Sequence, residues 1–326
     1  MPTVTLEPLL FRAGQAIDLE IIQPLRAWTI ARQAITANPN IKGEGIYSVD
    51  AVRLADAGPA TIAYQLPRPN DIKDAPRLSR ENVQLPILRH QIEIDRKEFN
   101  ALQNYAGGAI DITRIGAASQ AYQMAVLEDA LIFQGWAPDG TNYAIEGFYQ
   151  GADTQYTTST TFGNGNYYGN FNKMIGASIG ALKARGVKPP NGNYHLFMNA
   201  VDYSWLDGII STLGVKEMDA VLKTLRHGEV SGPGGIWELP AVTITDPLTS
   251  KTQTITAMAQ GTALLLPDDP SRTWYEEYVI QDVKTSLGYD SRDPNNSPIY
   301  STMTSIVYPH LKQTYAACQI TTLVQG

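Results

Sequence analysis

The run Ala125-Val126-Leu127-Glu128-Asp129-Ala130-Leu131-Ile132-Phe133-Gln134-Gly135, followed ten residues later by Ile145-Glu146-Gly147-Phe148, decides how the rest of the chain is read. It closes a long amphipathic helix that the spacing predicts from about Asp111 to Gln134. Ile112, Ile115, Tyr122, Val126, Ile132 and Phe133 lie in its apolar stripe, and the small residues Gly116, Ala117, Ala118 and Ser119 allow close packing. At 1.5 Å per residue the helix is about 35 Å long, enough to brace a whole domain. Gly107 and Gly108 break the chain ahead of it, after a short helix expected over 96–104. Before that, Gln91-Ile92-Glu93-Ile94-Asp95 alternates strictly, the mark of a half-buried strand.

Toward the N-terminus, Leu19, Ile22, Leu25, Arg26, Trp28, Thr29 and Ile30 recur at helical spacing and predict a helix from about Leu19 to Ala37. Asp18 is its cap and Pro39 lies beyond its end; Pro24 either sits in the first turn or kinks it. Such a helix packs internally or docks on something else. Ile46–Val49 and Thr61–Leu66 read as strands separated by Asp56-Ala57-Gly58-Pro59, and Val83–Arg89 is a further strand-like stretch. The segment between, from Pro67 to Pro76, is polar, charged and proline-rich. Two strand pieces around such a segment make an extended arm that buries little within its own subunit and calls for a neighbour.

Downstream, Gly151 to about Asn170 is rich in Thr, Gly, Asn and Tyr and nearly uncharged, which is loop or hairpin chemistry. Helices are expected over Phe171–Arg185, Val201–Ile210 and Lys216–Arg226, with Gly186 stopping the first and Ser211–Val215 a loop between the last two. His195–Met198, Ile236–Ile244 and Ala263–Leu266 are strands of the same α/β module. The final fifth is strand-dominated: Trp274–Val283, Ile299–Val307 and Gln313–Val324, with Leu287–Pro298 a polar loop.

With 43% hydrophobic and 17% charged residues the chain has globular composition and material for one large or two medium cores. A net charge of -7 argues against a nucleic-acid binder, which needs clustered, uncompensated Lys and Arg. The single cysteine, Cys318, cannot close an intrachain disulfide, so a reducing interior is expected. No apolar run approaches the ~20 residues of a membrane span, and Met1–Glu7 lacks the basic and apolar regions of a signal peptide.

No catalytic, cofactor or metal constellation emerges. His90, His195, His227 and His310 are far apart and fall in no metal-ligand spacing. The Gly-x-Ser-x-Gly match at Gly176-Ala177-Ser178-Ile179-Gly180 falls inside the helix expected over Phe171–Arg185 and so is no strand-to-helix elbow; there is no phosphate-cradling Gly-Lys-Ser/Thr, and Cys318 has no histidine at a family spacing. The acidic pairs Glu128-Asp129, Asp268-Asp269 and Glu276-Glu277 place neighbours on different faces, so each is expected to be a pair of solvated or capping acids. The chain is not expected to be an enzyme.

Three stretches carry a resemblance beyond the spine helix. Ile41-Lys42-Gly43-Glu44-Gly45-Ile46-Tyr47 resembles the turn after the N-terminal helix of encapsulins. Leu88–Leu102 with Leu127–Gly135 resembles their strand and spine, and Tyr194–Asn199 with Asp202–Leu206 their axial-domain strand and helix. Over nearly its full length the chain is similar to the linocin-type encapsulins and the HK97-type major capsid proteins. The resemblance implies an α+β HK97 phage-capsid-like fold: an N-terminal arm and inner-wall helix over 1–40, and a peripheral domain over 41–150 with the E-loop at about 55–88 and the spine at about 111–134. It further implies an axial domain over 151–266 with a pore loop near 211–219, and C-terminal strands over 267–326 completing the peripheral domain. It implies self-assembly into a closed icosahedral nanocompartment, cytoplasmic, with a cargo protein on its inner face. The alternative is the major capsid protein of a tailed virus or provirus, packaging DNA within a virion.

On this mapping Pro67, Arg68, Asn70, Asp71, Lys73 and Arg77 belong to the assembly E-loop. Thr212, Leu213, Gly214, Val215 and Lys216 form the pore loop. Ile22, Leu25, Arg26, Trp28 and Thr29 form the cargo-binding inner-wall helix. No scaffold-sized extension precedes Leu19, which favours the encapsulin reading. The aromatic residue through which some encapsulins bind flavin would fall near Lys97, so no cofactor is carried over. Extra material at 151–170 and 287–298 is expected as surface decoration.

Overall fold

The structure, a computed structural model, describes residues 29–38, 46, 48–55, 77–95, 108–137, 141–157, 161–229, 233–245, 252–289 and 298–325. Helix α1 (Ile30–Ala34) leads to strands β1 (Ser48–Ala55), β2 (Arg77–Gln84) and β3 (Leu88–Ile94). Next come the spine helix α2 (Gly108–Phe133), the short strands β4 (Gly135–Trp136), β5 (Ile145–Glu146), β6 (Thr154–Thr157) and β7 (Thr161–Phe162), and α3 (Asn170–Ala184). Strand β8 (Tyr194–Asn199), helices α4 (Ala200–Asp207) and α5 (Glu217–Leu225), and strands β9 (Gly235–Leu239), β10 (Ala241–Thr245), β11 (Thr252–Thr256) and β12 (Ala263–Pro267) follow. Long β13 (Tyr275–Tyr289) and β14 (Ile299–Leu311), then β15 (Cys318–Thr321) and β16 (Val324–Gln325), close the chain.

Two cores result. The first gathers the second half of α2, the antiparallel sheet β13-β14-β3, α1 and the root of the β1-β2 ribbon. The second gathers α3, α4 and α5 around the five-stranded sheet β6-β15-β12-β8-β9, whose central strands β8 and β12 are buried on both faces. Apolar residues on both faces suit a strand covered by helices on one side and by the first core on the other. Phe197 bridges them: its ring lies 4.6 Å from that of Phe133 at the end of the spine.

The quoted stretch ends the spine by a lacing that its glycines permit. The last carbonyls of a helix have no partner within it; here Phe148 N–H donates to Ile132 O at 2.9 Å and Tyr149 N–H to Phe133 O at 2.8 Å. The two segments pass so closely that a Cβ on Gly147 would lie 2.4 Å from Gly135 N and 2.5 Å from Phe133 O. Gly135 itself sits at φ +94°, where a side chain is strained. We expect Gly147→Ala to cost about 3 kcal/mol or more, since it both clashes with backbone and orphans buried carbonyls. The midpoint of denaturant unfolding measures this; an unchanged midpoint would mean the crossing is looser than described.

Several expected boundaries move, each because a distant strand competes with local propensity. The N-terminal helix stops at Ala34, and Ala37 instead forms a bridge beside Glu277. Within the helix stripe, Tyr122 is exposed rather than buried. The 151–170 stretch is no hairpin: β6 and β7 run parallel to β15 and β16 and pair with them, not with each other. The ladder to β14 carries β13 through Leu287, Gly288 and Tyr289, where a loop was expected. Gln313–Val324 is broken by a helical turn at Thr314–Ala316, and β15 then pairs with β12 and β6. Only β13 and β14 of the C-terminal strands therefore join the sheet beside the spine. The end of the expected strand Ile236–Ile244 becomes β10, which pairs antiparallel with β11, a strand the sequence did not announce, and both lie against α2.

Candidate assembly surfaces and the seat of the N-terminal segment

The extended arm has a paired stem. Strands β1 and β2 face each other in eight antiparallel pairs, from Ser48↔Gln84 to Ala55↔Arg77, and among the described residues neither pairs with any other strand. Alternation sets its two faces: Val49, Ala51, Val83 and Leu85 are buried at the root, while Asp50, Arg80, Asn82 and Gln84 are exposed. Asn82 Nδ2 donates to Asp50 Oδ1 at 2.8 Å across the exposed face. The root is tied to the closing sheet at Val52, whose carbonyl lies 3.1 Å from His310 Nε2. Of the sequence-expected arm residues, Arg77 opens β2 opposite Ala55, and Pro67, Arg68, Asn70, Asp71 and Lys73 lie outside the described residues. The stem consists of Ser48–Ala55 paired with Arg77–Gln84, and most of the expected 55–88 arm between them lies outside the described residues.

The segment 211–216 is a tight, pre-formed turn. Ser211 N–H donates to Val215 O and Gly214 N–H to Ser211 O, each at 2.9 Å, with Gly214 at φ +79°. The Ser211 hydroxyl oxygen accepts from Leu213 N–H at 3.3 Å and Val215 N–H at 3.0 Å. Lys216 Nζ closes the base by pairing with Asp207 at 2.7 Å. Thr212 and Lys216 are on the turn, and Leu213, 89% exposed, is its tip. The expected loop reached residue 219, but Glu217 begins α5 and is buried, its Oε1 accepting from Asn172 N–H of α3 at 3.0 Å. A carboxylate at that helix's amino end satisfies one of its free N–H groups and locks the turn to the module.

The third feature is where α1 meets the spine. Asp129 accepts from Ile30 N–H at 3.1 Å and Ala31 N–H at 2.9 Å, so the spine caps the first turn of α1. Arg32 Nε and Nη2 grip Glu128 at 2.5 and 2.9 Å, a bidentate pair, while Nη1 reaches Asp282 of β13 at 2.6 Å. Beyond the helix, Asn38 N–H donates to Glu277 O at 2.7 Å and Asn38 Nδ2 to Glu276 Oε2 at 2.9 Å. The acidic pairs are thus buried, contrary to the expected solvated acids: Glu128, Asp129, Asp269, Glu276 and Glu277 are each at most 3% exposed. The capping half of the expectation holds for Asp129, whereas Asp269 caps no helix and accepts from Trp274 N–H at 2.6 Å, just ahead of β13.

Their environments push them apart. Burial raises Asp129 to about 8 despite its two backbone donors. Burial, then the neighbouring Glu128, holds Glu277 well above the carboxylate range. On the opposite face of β13, burial is outweighed for Glu276 by hydrogen bonds from His310, Lys312 and Tyr278, and it falls to about 2. Desolvation opposes the Arg32 charge, yet Glu128 and Asp282 more than compensate, so its pKa is raised.

Of the expected inner-wall residues, Thr29 is fully buried and so faces its own subunit, which removes it as a contact for anything outside; Ile22, Leu25, Arg26 and Trp28 lie outside the described residues. Gln33–Thr36 line one side of a cleft of about 610 Å³ whose other walls include His195, Arg226, Trp237 and Asp268. His195 is held there by Trp237 Nε1–H, which donates to its Nδ1 at 2.9 Å, and by Asp268 at 3.4 Å. No group of three or more His, Cys, Asp or Glu side chains converges to hold a metal among the described residues. Burial pushes the Cys318 thiol up to about 12, far from a nucleophile's range. Among the same residues, no helix is long and apolar enough to cross a membrane.

The family described as "encapsulating protein for peroxidase" matches the chain over residues 7–236. None of the curated proteins matches it. Among solved structures, the chain is similar to a virus-like particle from Pyrococcus furiosus, at 12% identity and a TM-score of 0.55, over 96% of this chain and 99% of that one. It is similar to the capsid of Myoviridae phage XM1, at 13% identity and 0.58, over 91% and 92% of the two chains. The capsid of an empty GTA particle matches at 14% identity and 0.54, over 91% and 90%.

Proposed function

This chain belongs to the family of encapsulating proteins for peroxidase, a family of shell-forming structural proteins with the HK97-type α+β fold, and from that premise we propose that its copies close into an icosahedral compartment enclosing a cargo protein. The observation that carries the reading is the β1-β2 ribbon, whose outer edges have no partner strand among the described residues. Unpaired edges of this length are a liability that a neighbour in a shell removes. A closed shell repeats one such contact many times, so each can be weak while the particle is stable.

In this reading residues 1–40 are the arm and inner-wall helix, 41–150 with β13 and β14 the peripheral domain, and 151–266 with β15 and β16 the axial domain. Pro67, Arg68, Asn70, Asp71, Lys73 and Arg77 meet the neighbouring subunit, and Thr212–Lys216 surround a pore. Ile22, Leu25, Arg26 and Trp28 face the lumen, where a cargo segment laid along the helix reaches the cleft beside Trp237. The family's description makes a peroxidase the first cargo to test. The buried thiol of the single cysteine suits a cytoplasmic particle.

Negative-stain electron microscopy of the protein expressed alone, with the 260/280 nm absorbance ratio recorded, tests the proposal. Uniform hollow particles with a protein-like ratio support it; a nucleic-acid-like ratio turns the reading toward genome packaging, and small soluble species overturn self-assembly without partners. For the pore, Leu213→Asp is expected to slow several-fold the entry of a small anionic quencher to a lumenal fluorophore, without changing particle size. Unchanged entry would remove the turn from the pore.

A further inference from the structure

We propose that the seat of the N-terminal segment is a proton-operated latch, in which Glu277 holds the segment down while it carries a proton and lets it go when it loses that proton.

The argument begins with a count of charges and donors. The groups that face Glu277 are Glu128 and Asp129 from the spine, Arg32 from α1 and Asp282 from its own strand, so that with Glu277 itself four carboxyl groups stand against one guanidinium. Arg32 spends its donors on Glu128 and Asp282, and Asp129 is served by the amides of Ile30 and Ala31. Glu277 receives nothing: it is fully buried and neither carboxyl oxygen has a hydrogen-bond partner. An ionised carboxylate in that position, without donors and beside other carboxylates, is strongly disfavoured. The side chains do not converge in a way that holds a cation, so the proton is what neutralises the site.

The latch lies under the segment it controls. Ala37 forms a bridge with Glu277, Asn38 N–H donates to the Glu277 carbonyl at 2.7 Å, and Arg32 spans the acids from above. Lifting residues 29–38 opens Glu277 to water, where it ionises in the ordinary carboxylate range. The docked state therefore binds more protons than the undocked one. With that sign, docking is undiminished at or below the ordinary carboxylate range and weakens as pH rises above it, about tenfold in the equilibrium for each pH unit and each retained proton, until the docked carboxyl itself ionises. Asp129, raised to about 8, adds to the same slope below that pH. The direction is opposite to that of a carboxylate held by a salt bridge, such as Glu276 on the other face. The inference concerns the subunit itself and does not depend on what the shell encloses.

Hydrogen exchange on the intact assembled protein tests it, read on the peptide covering residues 29–38 and corrected for intrinsic rates. The amides of Ile30, Ala31, Ile35 and Asn38, all hydrogen-bonded in the docked state, report the opening. Wild-type protection is expected to fall at least about a hundredfold between about pH 6 and about pH 9. Glu277→Gln, which keeps the shape and cannot ionise, is expected to retain wild-type protection near pH 6 and then to fall with the Asp129 contribution alone, about tenfold less per pH unit than wild type. A flat wild-type profile, or a variant that falls in parallel with wild type, overturns the latch. Should the variant fail to fold, infrared spectra of the wild type decide: a protonated-carboxyl band must persist at neutral pH and vanish as protection is lost, and its absence at neutral pH overturns the proposal.

Discussion

Replacing residues 56–76 by an Asn-Gly turn should give a subunit that folds and melts cooperatively but forms no closed particle. The substitution is geometrically mild because Ala55 and Arg77 face each other at the described end of the ribbon, and a two-residue type I′ turn joins such a pair with the twist that antiparallel strands need. The buried residues at the root of the ribbon, Val49, Ala51, Val83 and Leu85, are all kept, and so is the His310 tie at Val52. What goes, on the assembly proposed above, is the reach to a neighbour assigned to Arg68, Asp71 and Lys73. Losing about 3 kcal/mol at each such contact raises the concentration needed for association more than a hundredfold, and a shell multiplies that loss over all its subunits. Light scattering and electron microscopy on the purified variant read the outcome. Intact shells would exclude the segment from assembly, and an unfolded subunit would show that it supports the core.

The parts of this architecture written in local periodicity were legible. The spine, α3, α5 and the buried strand β8 each announce themselves within a dozen or so residues, because an amphipathic stripe, a stop glycine or a short apolar run is a property of the segment alone. The stretch closing the spine was legible through its resemblance, and its physical reason lies in the structure. Gly135 and Gly147 mark two backbones crossing too closely for any Cβ.

What the sequence hid is long-range. The partners of β6 and β7 lie more than 150 residues away in β15 and β16, and nothing in a Thr-rich, uncharged stretch names them. The acidic pairs failed in the same way: adjacency shows that Glu276 and Glu277 face opposite sides of a strand, and only the fold shows that both sides are covered. A signal for the seat did exist. Glu128 and Asp129 stand amid the otherwise apolar Ala125–Phe133, where two solvated acids would break a buried stripe, so a compensating cation was implied. Arg32, in the five-residue helix Ile30–Ala34, is that cation.

Arg32→Ala should be among the most damaging substitutions in the described chain, costing about 3–5 kcal/mol. The guanidinium is buried, 8% exposed, and satisfies both oxygens of Glu128, itself 1% exposed, as well as Asp282. Removing it leaves Glu128, Asp129 and Glu277 buried together with no positive charge among them, so the side that remains must take up a proton or the segment must lift. Arg32→Lys recovers only part of the loss, because an ammonium is a point donor and cannot reproduce the two parallel bonds to Glu128 and the third to Asp282. Arg32→Met combined with Glu128→Met should recover more, since a buried ion pair exchanged for apolar side chains of similar volume is often neutral. The pH dependence separates charge from packing. Without Arg32 the carboxyl of Glu128 has a further raised pKa in the docked state, so the deficit appears as pH rises above the ordinary carboxylate range and shrinks toward pH ~4, where it is protonated docked or not. Denaturant midpoints for wild type and Arg32→Ala across that range measure it. A deficit that stays constant with pH would mean that the Arg32 stem contributes through packing, and that the acids around it do not need its charge.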